Sequence, residues 1–214
     1  MYDTVWHYYG SMYIFMPQQI KTSSLYSESQ AKDNCGFGLI VNRNGVLKRD
    51  VVIKSIAGLT SMTHRGAIGS DGKTGDGCGL LFDLNRKFFQ KRVKKEFSIE
   101  LPELFGVAQI FSSHSLKKDI AKINLILKTE NLSFVCVRKV PTNESVLGEI
   151  ALESLPKINQ IFIAPISRDF NKERFESCLL QARKKIEEIY SDEEKLYICS
   201  MSSQTIVYKG LMLP

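Results

Sequence analysis

Two apolar periodicities alternate along this chain, and their order constrains its fold more than any other feature. Apolar residues at every second position predict strands at residues 35–41, 80–84, 106–113, 132–141, 159–166, 195–202 and 204–213. Apolar residues at three- and four-residue steps predict helices at residues 48–62, 115–129, 144–155 and 171–190, the last with Asn171 as its N-cap. Because the two kinds of segment alternate unevenly, the order predicts sheets covered by helices, an α/β (α+β) fold.

The C-terminal end of the pattern carries two further predictions. Ser202, Ser203 and Gln204 are predicted to form a tight hairpin between the last two strands. No helical segment follows the final strand, so its sheet is predicted to be left uncovered and the chain to stop within a domain.

Composition indicates an ordinary globular protein of one large or two small domains. Of the 214 residues, 43% are hydrophobic and 24% are charged, which is enough apolar material for a core. The net charge of +6 is too small to predict a nucleic-acid partner. The densest basic run, residues 85–95, is interpreted as a solvated face with Phe88 and Phe89 packed inward.

The cysteines and the hydropathy pattern predict a cytoplasmic protein without metal or membrane. The five cysteines are Cys35, Cys78, Cys136, Cys178 and Cys199. Their odd number and wide spacing, with no CxxC pair, argue against a disulfide framework or a zinc site and favour a reducing compartment. No apolar run approaches the roughly 20 residues that cross a bilayer, and the N-terminus lacks the basic region and cleavage site of a signal peptide.

The stretch "DNCGFGLI" suggests chemistry for Cys35. Residues 1–34 lack clear periodicity and are predicted to be a leader, whose start at Met1 or Met16 stays open. No neighbour offers the base that a thiol nucleophile needs, but cleavage before Cys35 would expose an α-amino group of pKa about 8 beside its own sulfur. Gly36 and Gly38 would then leave room for a substrate. A structural, buried cysteine at the start of a strand explains the same residues.

The glycine-rich stretch "HRGAIGSDGKTGDGCG" follows the first predicted helix. Part of it, "AIGSDGKT", fits a relaxed phosphate-loop pattern, but a true phosphate loop follows a strand and opens a helix, and this one does neither. At its head, Arg65 offers fixed donors that can orient a carbonyl or a carboxylate. Charge compensation at the end of the preceding helix is an equally simple explanation of Arg65.

Four blocks together resemble one family. "DNCGFGLI", "HRGAIGSDGKTGDGCGLL", "VPTNESVLGEIALESLPKINQIFI" and "YICSMSSQTIVYKGLMLP" resemble the start of the glutamine amidotransferase domain of the glutamate synthase large chain. The likeness covers residues 33–214, more loosely between 90 and 130. It implies a four-layer αββα N-terminal nucleophile (Ntn) hydrolase fold, incomplete in this chain. It also implies that residues 1–34 are a propeptide and that residues 35–214 are the N-terminal part of a class II glutamine amidotransferase domain.

The resemblance implies roles for individual residues. Cys35 would attack the side-chain amide of L-glutamine, with its own α-amino group as the base. Arg65 matches the family arginine beside the nucleophile, and Gly66 would allow its close approach. The segment 76–79 is expected to be structural. The family's oxyanion-hole and glutamine-anchoring residues lie beyond residue 214, so the isolated chain is expected to have little or no glutaminase activity.

The resemblance also implies partners outside this segment. Ammonia would be channelled to 2-oxoglutarate at an FMN synthase domain of the same large chain, which also holds an iron–sulfur cluster, in glutamate biosynthesis and nitrogen assimilation. Electrons would come from NADPH through an FAD-bearing small subunit, which makes the whole enzyme an oxidoreductase. No cofactor or metal is expected in this segment. Two alternatives stay open: an amidotransferase of another class II enzyme, and a truncated non-catalytic chain.

Overall fold

The structure, a computed structural model, describes residues 36–167, 169–190 and 196–213. In chain order its main elements are α1 (Arg49–Ser61), β1 (Cys78–Asp83), α2 (Arg86–Phe97), β2 (Gly106–Ser112), α3 (Ile120–Thr129), β3 (Leu132–Lys139), α4 (Glu149–Glu153), β4 (Lys157–Pro165), α5 (Lys172–Tyr190), β5 (Leu196–Ser202) and β6 (Thr205–Gly210). None of these helices is long and apolar enough to cross a membrane.

Two antiparallel sheets lie face to face between helices. One sheet has the strand order β3-β4-β2-β5, and the other pairs β1 with β6. Helices α3 and α5 cover the outer face of the four-stranded sheet, and α1 contacts β1 on the other side. This order of helix, sheet, sheet and helix confirms the mixed α/β architecture that the sequence predicted.

The central strands β2 and β4 are buried on both faces. Ala108 and Ile110 of β2 face the core beneath α3 and α5, whereas Val107 faces the core between the sheets. On β4, Ile163 faces the helices and Phe162 faces the second sheet. Because neighbouring side chains on a strand point to opposite faces, one stretch of continuous apolar sequence supplies both cores.

A row of polar side chains crosses the four-stranded sheet on the face that looks towards β6. Arg138, Gln160, Gln109 and Ser200 lie opposite one another on successive strands. Arg138 Nη1 donates to Gln160 Oε1 at 3.1 Å, and Gln160 Nε2 donates to the hydroxyl of Tyr208 on β6 at 3.2 Å. Because these groups are buried, their mutual hydrogen bonds hold the two sheets in one register.

The turn between β5 and β6 is a corner between sheets and not the predicted hairpin. Its position is right, but β5 pairs with β2 and β6 pairs with β1, so the hairpin prediction is wrong. Side chains from other elements hold the backbone of the turn. Glu176 accepts the Ser202 hydroxyl at 3.0 Å and the Ser203 N–H, and Arg86 Nη2 donates to the Ser203 carbonyl at 2.6 Å.

The prediction of a strand at residues 35–41 is wrong for the described part, residues 36–41. These residues form no strand, and 91% of Phe37 and 84% of Leu39 are exposed. The alternation typical of a strand is present, but these residues belong to neither of the two sheets in the described part of the chain. The next four residues, "NRNG", are typical of a turn because of the Asn44-Gly45 pair. The structure has this turn, with Gly45 N–H donating to Asn42 O at 2.9 Å from a positive φ of 66°.

Several predicted helices differ in detail. Helix α1 has the expected bounds, but none of its residues is buried. The helix predicted at 115–129 begins as a 3₁₀ turn, Leu116–Lys118. Asp119 follows this turn and does not cap α3, since its carboxylate bonds His114 Nε2 at 2.8 Å and the Tyr190 hydroxyl at 2.9 Å. The helix predicted at 144–155 is a 3₁₀ turn, Glu144–Val146, followed by the five-residue α4.

Helices α2 and α5 follow from their apolar positions. In α2, Phe89 is buried as predicted. The prediction that Phe88 also packs inward is wrong, because 44% of Phe88 is exposed; its ring lies edge-on to that of Phe89. Asn85 Oδ1 caps this helix by accepting the Phe88 N–H at 3.1 Å. In α5, Asn171 Oδ1 accepts the Arg174 N–H at 2.8 Å, which confirms the predicted N-cap.

The pairing of β1 with β6 allows a first test. A Cβ at Gly79 would lie 2.6 Å from the Tyr208 carbonyl oxygen, whereas a Cβ at Gly38 would meet nothing within 4 Å. We expect Gly79→Ala to lower the free energy of unfolding by about 1–3 kcal/mol, because backbone must move to admit the methyl group. Gly38→Ala is the control and should change it little. Equal urea denaturation midpoints for the two variants would contradict this sheet pairing.

Candidate active site

The described chain begins beside the arginine that the sequence singled out. Cys35 lies outside the described residues, and Gly36 is the first of them. A Cβ at Gly36 would lie 3.3 Å from Met62 Sδ and 3.7 Å from Arg65 Cβ. The residue next to the predicted nucleophile is therefore in contact with the end of the α1 segment, where Arg65 stands.

Arg65 is placed by a tight turn that continues α1. The helix ends at Ser61, and a 3₁₀ turn covers Thr63–Arg65. Arg65 N–H donates to Met62 O at 2.8 Å, and Gly66 N–H donates to Thr63 O at 3.3 Å. The Arg65 side chain is exposed, so its guanidinium can reach a ligand. The nearest atom to a Cβ at Gly66 is the Thr63 oxygen at 4.0 Å, so the neighbouring residues do not require glycine there.

The glycine-rich segment after Arg65 folds back on itself. Asp76 Oδ2 accepts the Ala67 N–H at 2.8 Å, Ile68 forms an antiparallel bridge with Gly75, and Gly69 N–H donates to Thr74 O at 2.7 Å. The return is a tight turn at Gly72, whose φ of 68° favours glycine. The segment then enters strand β1 and not a helix, so the phosphate-loop pattern lacks the helix N-terminus that would hold a phosphate.

Two side chains of this loop bind helix α4. Asp71 accepts hydrogen bonds from the Thr74 hydroxyl at 2.5 Å, the Thr74 N–H at 2.8 Å, the Lys73 N–H at 3.0 Å and the Ile150 N–H at 3.2 Å. The Thr74 hydroxyl in turn accepts the Ala151 N–H at 3.2 Å. These hydrogen bonds hold the pKa of the Asp71 carboxyl well below its usual range, and the bond from the Thr74 hydroxyl has the largest effect.

Sequence reasoning missed this contact between the loop and α4. The N-cap of α4 is Gly148, which has no capping side chain, so Asp71 and Thr74 supply the capping oxygens to amides 79 and 77 residues away. A Cβ at Gly148 would lie 2.2 Å from Asp71 Oδ2, which explains the glycine. The signal that the sequence offered was a glycine, Gly148, inside the helix predicted at residues 144–155.

The four described cysteines are free, and three of them differ from an activated nucleophile. Burial raises the pKa of the thiols of Cys78 and Cys199 and raises that of Cys136 to about 11. A thiol of that pKa is almost entirely protonated at neutral pH and reacts slowly. Within the described ranges, no three His, Cys, Asp or Glu side chains cluster as metal ligands would.

Comparison with known proteins identifies relatives along about nine-tenths of this chain. The chain is 37% identical over 198 residues to the ferredoxin-dependent glutamate synthase of Pyropia yezoensis, which is 89% of this chain and 13% of that protein. It is 37% identical over 203 residues to the NADPH glutamate synthase large chain of Bacillus subtilis, which is 92% of this chain and 13% of that protein. It is 32% identical over 203 residues to the NADH glutamate synthase of Saccharomyces cerevisiae, which is 89% of this chain and 9% of that protein.

The chain thus spans 9–13% of the length of these curated relatives. The model of the class-II glutamine amidotransferase family matches residues 35–214, which include Arg65, the loop beyond it and both sheets. That match covers most of the chain and begins at the predicted nucleophile. The chain belongs to the class-II glutamine amidotransferases, within an N-terminal nucleophile hydrolase fold.

Proposed function

We propose that residues 35–214 are the glutaminase part of a glutamate synthase, with Cys35 as the nucleophile. The observation that carries this proposal is the start of the family match at residue 35 and not at residue 1. Residues 1–34 would be a propeptide whose removal makes Cys35 the N-terminal residue. The contact between Gly36 and Arg65 supports the same arrangement, because Cβ and Cγ of Arg65 lie within 4 Å of a Cβ position at the residue that follows the nucleophile.

The bonds of the proposed reaction are made and broken by Cys35, glutamine and water, whereas the oxyanion-hole and glutamine-anchoring groups are expected beyond residue 214. The α-amino group of Cys35 accepts the thiol proton, and the thiolate attacks the side-chain amide carbon of glutamine. The C–N bond breaks, the nitrogen takes the proton and leaves as ammonia, and a γ-glutamyl thioester remains. Water then attacks the thioester, which releases glutamate and restores the thiol. Arg65 would fix the backbone and substrate oxygens around this centre.

The rest of the proposed activity belongs to other parts of the polypeptide. The relatives are glutamate synthases, so we propose that ammonia passes to 2-oxoglutarate in the complete enzyme. An iron–sulfur cluster does not fit the part described here, whose four cysteines are free and dispersed, with no cluster of metal ligands, and the resemblance implies that FMN also binds elsewhere in the large chain. We assign them to the remainder of the large chain. NADPH as donor, through an FAD-bearing small subunit, is one of three choices, since the relatives' names give ferredoxin, NADH and NADPH.

The alternatives differ from this proposal at the N-terminus and beyond residue 214. Another class II amidotransferase would share Cys35 and Arg65 but deliver ammonia to a different acceptor. A non-catalytic chain would keep the bond between Asn34 and Cys35 intact. The matches to glutamate synthases along 89–92% of this chain favour the first proposal over another class II amidotransferase. The state of the bond between Asn34 and Cys35 separates it from a non-catalytic chain.

The first test is processing and labelling of the protein expressed with the sequence that naturally precedes and follows it. We expect an intact mass that begins at Cys35 and one covalent adduct with a glutamine-like diazoketone, lost in Cys35→Ala and kept in Cys178→Ser. Cys136 should not compete, because a pKa of about 11 leaves only about a thousandth of it as thiolate at pH 8. Glutamine hydrolysis by protein that retains residues 1–34 would overturn the proposed mechanism.

A second test separates the two explanations of Arg65. Arg65→Lys keeps a positive charge at the end of α1 but loses the planar guanidinium. If Arg65 orients groups at the nucleophile, Arg65→Lys and Arg65→Ala should both lower kcat/KM for glutamine by roughly 10- to 100-fold, with unchanged melting temperatures. If Arg65 only compensates the helix dipole, Arg65→Lys should match the wild type, and Arg65→Ala should lose a few tenths of a kcal/mol of stability at most.

A further inference from the structure

We propose that Thr74 and Asp71 are positioning residues for the corner formed by Arg65 and Gly66, and that they act through the glycine-rich loop. This inference rests on the proposed function and adds two residues to it. Neither residue is proposed to touch glutamine. Their part is to tie the loop to helix α4, so that the backbone after Arg65 has one conformation when the substrate binds.

The first step is the anchor on α4. Thr74 is buried, and its hydroxyl stands between two partners: it donates to Asp71 Oδ2 at 2.5 Å and accepts the Ala151 N–H at 3.2 Å. Asp71 Oδ2 also accepts the Ile150 N–H at 3.2 Å. Two consecutive amides at the start of α4 are thus satisfied by the loop, since Gly148 cannot satisfy them. If the hydroxyl is removed, a buried amide and a carboxylate each lose a partner.

The second step is the connection from the anchor back to Arg65. The Thr74 carbonyl oxygen accepts a hydrogen bond from the Gly69 N–H at 2.7 Å. Gly75 forms an antiparallel bridge with Ile68, and Asp76 Oδ2 accepts the Ala67 N–H at 2.8 Å. Ala67 follows Gly66 directly, and Gly66 is itself bonded to Thr63 in the turn after α1. The corner is therefore held on one side by α1 and on the other by a loop whose far end is fixed to α4.

The third step is the fit from the α4 side. The backbone at Gly148 approaches the loop so closely that a Cβ would lie 2.2 Å from Asp71 Oδ2 and 2.5 Å from Thr74 Oγ1. Both atoms belong to the anchor and not to a flexible chain end. Gly148→Ala therefore breaks the same contact without a change in any loop residue, and it should reproduce the effect of the loop variants.

The test compares Thr74→Val, which removes the hydroxyl, with Thr74→Ser, which keeps it, in the protein expressed with its natural flanking sequence. Lys73→Ala is the control in the same loop, because the Lys73 backbone N–H and not its side chain bonds Asp71. We expect Thr74→Val and Gly148→Ala to lower kcat for glutamine hydrolysis by roughly 10- to 100-fold, with a smaller change in KM. Thr74→Ser and Lys73→Ala should stay near the wild type.

Hydrogen exchange provides the readout that does not depend on activity. In Thr74→Val, the amides of Ala67 and Gly69 should exchange about 3- to 10-fold faster, together with that of Ala151. Faster exchange at Ala151 alone, or wild-type kcat in Thr74→Val, would reduce the contact to a simple cap of α4 and overturn the inference. A wild-type protein without glutaminase activity would instead overturn the proposed function, and with it this role, whatever the exchange rates.

Discussion

The double burial of strands β2 and β4 is the constraint on which the other layers depend. Both faces of these strands are apolar, so neither can be left to solvent. Helix α5 covers one face with Phe175, Leu179, Ala182 and Ile186, which recur at three- and four-residue steps. The sheet of β1 and β6 covers the other. A protein with a single covering layer would expose one of the two cores.

A polar row within that apolar frame decides how the two sheets meet. Arg138, Gln160 and Tyr208 link the edge of the four-stranded sheet to β6, and the Glu96 carboxylate completes the set by accepting from Arg138 Nε at 2.8 Å. Apolar contacts alone would tolerate sliding of one sheet over the other. Buried hydrogen bonds do not, because a shift of one residue would leave these groups without partners. Gly79 is then free to approach β6 closely.

The candidate active site is built at the edge of this frame from segments without regular structure. A tight turn after α1 carries Arg65, and a glycine-rich loop fixed to α4 carries the residues that follow. Gly36 reaches this corner from the N-terminal side. Loops placed by a rigid scaffold are a common location for functional residues. Here the rigidity comes from Asp71, Thr74 and Asp76 rather than from the glycines between them.

The sequence by itself determined the family, most of the helices and strands and most of the core, because local apolar patterns indicate them; it did not predict helix α2, and the strand that it predicted at residues 35–41 is absent from the described part. It predicted the Asn171 cap and the turn before Gly45 for the same reason. It could not decide which strands pair: the strands on either side of Ser203 joined different sheets, since Glu176 and Arg86 hold that turn from distant helices. Nor could it show that Thr74 caps a helix 77 residues away, because hydrogen bonds between distant segments exist only once the chain has folded.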